Sequence, residues 1–189
     1  MKTTIVLATM LMISSALAGS MVRYEVPEAP KPVSVQRLTE GSIKDEFKLE
    51  WNQRRQQRRI SQSVASAAAV YRRLGCRTTY ADATGRIALE YGLPPRVLAA
   101  VVFVESSCNP NAVSTRESIG LAQINCKVWK HKKTELRDPQ RNLEIGAGIL
   151  AGYIRRYGLV EGLHAYNGFG NPTSEYSNKV LTAAGITVS

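Results

Sequence analysis

Glu105 is the residue with the plainest chemical promise. It ends the apolar run Val97–Val104, and a polar, turn-rich stretch (Ser106-Ser107-Cys108-Asn109-Pro110-Asn111) follows, closing on Gly120-Leu121-Ala122-Gln123. On a helix, Glu105 stands one turn beyond Val101 and Val102 and shares their apolar side. A carboxyl there loses hydration, and the negative end of the helix dipole disfavours its anion as well, so both effects retain the proton near neutral pH. A protonated carboxyl in a cleft is what cleavage of a glycosidic bond requires, because the departing oxygen leaves poorly until it is protonated. Nearby, Gln123 and Asn125 offer amide groups of the kind that hold sugar hydroxyls and acetamido groups. Gly120 lets a backbone approach closely without a Cβ. Ala165-Tyr166-Asn167-Gly168 places a phenol and another amide in a second turn able to converge on the same cleft. Taken singly, each residue also suits a structural role.

The elements that must position these groups read as helices. Ile43, Phe47 and Trp51 recur every four residues, and Ile60, Val64, Ala67, Tyr71 and Leu74 continue at a 4-3-4-3 spacing up to Gly75, which predicts one long helix, or two broken near the Gln-Arg cluster. Ala83, Ile87, Ala88 and Tyr91 share a face of a second helix over Thr79–Tyr91, with Gly92 at its stop. Val97–Val104 suits a strand on propensity alone. The prolines at its start, its run to Ser106 and its helical neighbours favour a helix. Asp138-Pro139 is a cap and first-turn proline for a helix whose face carries Leu143, Gly146, Ala147, Leu150, Tyr153, Ile154 and Tyr157. A short helix over Val160–Tyr166 and a last one over Ser174–Ala184, ended by Gly185, complete the series. No strand-turn-strand alternation appears. The fold expected is mainly α, a catalytic domain over 78–189 preceded by a basic amphipathic helical extension over 42–77.

A chain of 189 residues with 44% hydrophobic content supports one sizeable core. Lys2 is the only charge before Arg23, and the apolar run Ile5–Ala18 ends in Ala16-Leu17-Ala18, the form of a signal-peptide cleavage site. Residues 1–18 therefore read as a signal peptide and the chain as exported to the periplasm or cell envelope; left uncleaved, the segment approaches spanning length. Residues 19–41, with Pro27, Pro30 and Pro32, read as an exposed linker. The formal charge of +10 favours polyanionic surroundings: nucleic acid, anionic lipid or an anionic cell wall. Arg54, Arg55, Arg58, Arg59, Arg72, Arg73 and Arg77 occur with no acid between Glu50 and Asp82. Without aromatic residues interleaved among them, they read as a solvated outer face rather than a nucleic-acid grip. A secretion, conjugation or virion assembly is the protein partner expected at this helix, and nucleic acid is not. Cys76, Cys108 and Cys126 allow three single-bridge pairings. Of these, Cys108–Cys126 would clamp both ends of the polar loop, and three reduced thiols are the other reading. No Cys-x-x-Cys pair exists, and His131 and His164 lack metal-ligand spacing, so no metal and no cofactor are expected.

Together, Glu105-Ser106-Ser107-x-Asn109-Pro110-x-Ala112-x-Ser114, Gly120-Leu121-Ala122-Gln123-Ile124, Asp138-Pro139-x-x-Asn142 and Ala165-Tyr166-Asn167-Gly168 resemble the soluble lytic transglycosylase (SLT) catalytic domain, which has a lysozyme-like fold. The Ser-Ile-Gly-Leu-Ala-Gln-Ile-Asn form is especially similar to small muralytic proteins of conjugation and secretion systems and of phages. The resemblance covers roughly residues 80–184. It implies that Glu105 is the sole catalytic acid, acting on peptidoglycan glycan strands, with the substrate's own 2-acetamido group stabilising the developing charge. It also implies that Ser114 and Gln123 position sugar or acetamido groups, that the Gly120 backbone lines the cleft, and that Tyr166 orients the reacting centre. A hydrolase would usually need a second carboxylate. Glu117 sits beside Arg116 in the loop, and Asp138 reads as a cap, so the one-carboxylate transglycosylase is preferred. The alternatives are a muramidase, using a distant acid such as Glu144 or Glu161, and a non-catalytic peptidoglycan-binding assembly component.

Overall fold

The structure, a computed structural model, describes residues 40–168 and 175–187. The signal-peptide reading and nearly all of the linker reading fall outside them. The first element is one unbroken helix, α1 (Glu40–Arg73). Only its second half is buried, through Ser63, Ala67, Val70 and Tyr71. That half packs on α2 (Ala81–Tyr91), which is entered by a 3-10 turn at Thr78–Tyr80 and closed by Gly92 in the left-handed conformation. The two helices approach closely because of Gly85, where a Cβ would lie 2.5 Å from the Val64 Cα. Ser63 Oγ donates to the Gly85 carbonyl at 2.7 Å, and the Tyr71 and Thr84 hydroxyls are 2.8 Å apart.

The central helix is α3 (Pro95–Ser106), with Pro95 in its first turn. Val97–Val102 are wholly buried, which explains both the missing helical period and the tolerance of β-branched residues: packing on every side overrides propensity. Next come the two-stranded antiparallel ladder of β1 (Ser118–Ile119) and β2 (Ile124–Asn125), then the short helices α4 (Cys126–Trp129) and α5 (Lys133–Leu136). Strands of two residues are too short to show alternation, which is why the sequence does not announce them. The chain continues into α6 (Pro139–Tyr157), whose cap Asp138 accepts from the Arg141 amide at 2.7 Å. It ends with α7 (Leu159–Asn167) and α8 (Glu175–Ala184). Both α1 and α8 lie against α3; α6 lies against α2 and α7. The Arg73 guanidinium donates to the Ala183 carbonyl, tying the end of α1 to α8. This is the mainly α, lysozyme-like class that the sequence predicts. Among the described residues, no helix is long and apolar enough to cross a membrane.

The disulfide pairing corrects the sequence reading. Cys76 is bonded to Cys108, and Cys126 is a buried free thiol. Cys76 and Cys108 both pack on the main core, at the ends of α1 and α3, whereas Cys126 belongs to a second cluster with Ile119, Ala122, Ile124 and Leu136. Proximity to the polar loop in sequence does not bring Cys126 to Cys108, because the two residues serve different packing units.

Candidate active site

Glu105 occupies the last turn of α3, half-buried beside the reversal in which Ser107 and Cys108 take left-handed angles (φ 50° and 63°). Burial pushes its carboxyl up to about 7, against the opposing pull of a hydrogen bond from Tyr176. That phenol, brought in by the packing of α8 on α3, donates to Glu105 Oε1 at 2.5 Å. Tyr166, near the end of α7, donates instead to the Ala122 carbonyl at 2.9 Å. Burial, and secondarily the charge of Glu105, hold both phenols well above their ordinary range, so both keep their protons. The carboxyl therefore shares its surroundings with two neutral phenols, one of them in direct contact.

The loop beneath this group hangs on Asn142. Its buried side chain donates to the carbonyls of Ile119 (2.7 Å) and Leu136 (3.0 Å) and accepts from the Ala122 amide (2.8 Å). Gly120 passes directly over it at φ +81°, and a Cβ there would fall 2.4 Å from Asn142 Nδ2. The Ser106 hydroxyl lies 2.9 Å from the carbonyls of both Val102 and Leu121, joining α3 to the same loop.

Among the predicted site residues, Glu105, Gln123, Asn125, Tyr166 and Asn167 line one cleft. Gln123 spends its amide protons on the carbonyls of Ala112 (3.1 Å) and Gly120 (3.0 Å), which leaves its carbonyl oxygen as the group a ligand can use. Asn125 caps α4 by accepting from the Lys127 and Val128 amides and donates to the Arg116 carbonyl, so most of its capacity is structural. Asn167 is exposed at the rim. Ser114 and Gly120 are not among the lining residues. The Ser114 hydroxyl accepts from the Ser118 amide at 3.0 Å within the loop, and Gly120 is buried against Asn142.

Glu105 is the only acid among the described residues that lines this cleft. Glu117 is gripped by Lys127 (2.6 Å) and Lys133 (2.7 Å), which hold its carboxyl down at about 2. Glu144 pairs with Arg141 at 3.1 Å, and His131 lies 3.1 Å from Glu135. Two features escaped the sequence. Tyr176 occupies a core-like position on α8, so its helical spacing marks it only as packing. Likewise Tyr153 and Tyr157 read as part of the apolar face of α6. In fact Trp129 meets Tyr153 edge-on and Tyr153 stacks on Tyr157, each pair with ring centroids 6.4 Å apart. Trp129 and Tyr153 line the cleft and also a shallow groove beyond it that reaches Tyr157 and Arg156, so an aromatic wall extends the cleft.

The pattern of the family described as "Transglycosylase SLT domain" matches residues 82–186. Over 87 residues the chain is 32% identical to the Endo-type membrane-bound lytic murein transglycosylase A of Cronobacter sakazakii, covering 40% of this chain and 42% of that protein. Over 73 residues it is 34% identical to the protein of the same name from Salmonella paratyphi B, covering 32% of this chain and 36% of that one. The chain spans less than half the length of these curated relatives. The matched segment takes in Glu105, the hairpin, Asn142 and both phenols, and the chain belongs to the transglycosylase SLT domain family.

Proposed function

We propose that this chain is a peptidoglycan lytic transglycosylase of the cell envelope, cleaving the β-1,4 bond between N-acetylmuramic acid and N-acetylglucosamine without water. The observation that carries the reading is a cleft carboxyl held at about 7, the one acid that lines the cleft among the described residues. A group balanced near neutrality can give a proton in one step and take one back in the next. Protonated Glu105 donates to the glycosidic oxygen as the bond from the muramyl C1 breaks, and the departing sugar leaves as an alcohol. The 2-acetamido oxygen of the same muramyl residue shares the positive charge at C1. Glu105, now a carboxylate, takes the proton from the C6 hydroxyl as O6 closes on C1, giving a 1,6-anhydromuramyl end and restoring the acid. Tyr176 holds the carboxyl in one orientation through both steps. The Gln123 carbonyl oxygen and Asn167 offer polar contacts to the sugar, and Trp129 and Tyr153 offer faces on which sugar rings can lie. Both relatives are named lytic murein transglycosylases, which supports the same substrate class.

Digestion of purified sacculi followed by mass spectrometry tests the reading. Anhydro ends are expected in the products, which are lighter by one water than the reducing ends a muramidase makes. Glu105→Gln should lower their yield by a factor of about a thousand, within the range general acid–base groups supply. Reducing ends, or full activity in that variant, would sink the proposal.

A further inference from the structure

Between Glu40 and Arg59, roughly 30 Å of α1 projects without burying any described side chain: residues 44–59 are all exposed. Placed at 100° per residue, Lys44, Lys48, Arg54, Arg55, Arg58 and Arg59 all fall within roughly 140° of the helix circumference. Phe47 and Trp51 lie on that same face, in line with Arg54 and Arg58 at the i, i+4, i+7, i+11 spacing. Asp45, Glu46 and Glu50 fall on the other side, with Leu49. The two aromatic side chains are 69% and 58% exposed. This face points away from the one by which Ser63, Ala67, Val70 and Tyr71 dock the helix on the domain.

The arrangement works against the helix itself. Opposite charges at i, i+4 stabilise an isolated helix and like charges destabilise it. Here Lys44/Lys48, Arg54/Arg58 and Arg55/Arg59 are like pairs, and Arg54 with Glu50, 3.5 Å apart and well exposed, is the one ion pair found among the described residues of this segment. Water solvates these exposed cations, and with that single ion pair among the described residues of the segment the basic side is free to meet an anionic surface. Duplex nucleic acid would meet the cations but leave Phe47 and Trp51 in water, whereas a single strand or a glycan would stack its rings on them without giving either an apolar phase. An anionic bilayer takes both: head groups answer the lysines and arginines, and the acyl boundary takes the aromatic rings. We propose that the N-terminal half of α1 docks flat on an anionic phospholipid surface through its Phe47–Trp51–Arg54–Arg58 face.

The test uses the full chain in a Trp129→Phe background, which leaves Trp51 as the single tryptophan. With phosphatidylglycerol-containing vesicles, Trp51 emission should shift to the blue and be quenched by bromine-labelled acyl chains. With pure phosphatidylcholine vesicles neither change should occur. Changing Arg54, Arg55, Arg58 and Arg59 together to Gln, which keeps helix propensity, should weaken partitioning at least tenfold at unchanged helicity by circular dichroism. Leu49→Ser, on the other side, should leave partitioning unaltered. A Trp51 that keeps its water-exposed emission while the chain sediments with the vesicles would overturn the proposal, as would quenching that survives the fourfold Gln change. A shift produced only by duplex DNA or by polyglutamate would overturn it as well and assign the face to another polyanion.

Discussion

Glu105 sits where two demands conflict, since burial favours its neutral form and Tyr176 favours its anion. Its carboxyl is raised from 4.5 to about 7, so the sign of the linkage is fixed. Folding loses nothing to this group below pH 4.5, loses progressively between 4.5 and 7, and carries the full penalty above 7. Glu105→Gln removes the penalty, so the variant should match the parent in acid and exceed it at pH 8 by up to about 3 kcal/mol. Urea unfolding at both pH values checks this, and a parent as stable as the variant at pH 8 would show the carboxyl to be unperturbed. Tyr176→Phe acts in the other direction on the same group. Without the donated hydrogen bond the carboxyl should rise further, so the alkaline limb of the pH–rate profile should move to higher pH while kcat drops several-fold. A limb that moves to lower pH, or stays put, would mean that Tyr176 does not govern Glu105. Tyr166, on the Ala122 carbonyl, should not move that limb comparably when its hydroxyl is removed.

At the scale of elements, punctuation made most helices legible. Asp138-Pro139, Pro95 and Gly92 act as cap, first-turn residue and stop by local stereochemistry alone, and the structure uses them in those roles. What stayed hidden depends on partners. A helix buried on all sides, such as α3, shows no period. Strands as short as β1 and β2 exist only because the loop is pinned from below. The continuity of α1 through its Gln-Arg cluster is decided by the absence of any break signal rather than by a positive one. Asn142 shows where the pinning force lies. Asn142→Leu would remove one of the hydrogen bonds at the Ile119 carbonyl and take away the side-chain partner of the Leu136 carbonyl and the Ala122 amide, at about 1–3 kcal/mol for each buried group left unpaired. The expected outcome is a loss of several kcal/mol in thermal or urea unfolding, together with loss of activity, because Gln123 hangs from the same loop. A stable variant with full activity would show that the loop holds its shape without this side chain.

For the whole molecule, the Cys76–Cys108 bond joins the turn after α1 to the turn after α3, with Cys108 three residues beyond Glu105. Helix packing and the geometry of the acid are thereby tied to one covalent closure. A closed loop of 32 residues restricts the unfolded chain by about 4 kcal/mol in the entropy model. Reduction, or Cys76→Ser with Cys108→Ser, should therefore lower the midpoint of thermal unfolding by roughly 8–16 °C for a domain of this size. Cys126→Ser should not reproduce that drop, since the Cys126 thiol is free and merely packed among Ile119, Ile124 and Leu136. Alkylation of the denatured, unreduced chain should label one cysteine, at position 126. Labelling at all three positions would show that the bond does not form, and a peptide linking Cys108 to Cys126 would restore the pairing that the loop alone suggests. A bond of this kind persists in an oxidising compartment, so finding it in protein taken from the cell envelope would join the stability of the fold to the place where the proposed peptidoglycan cleavage must occur.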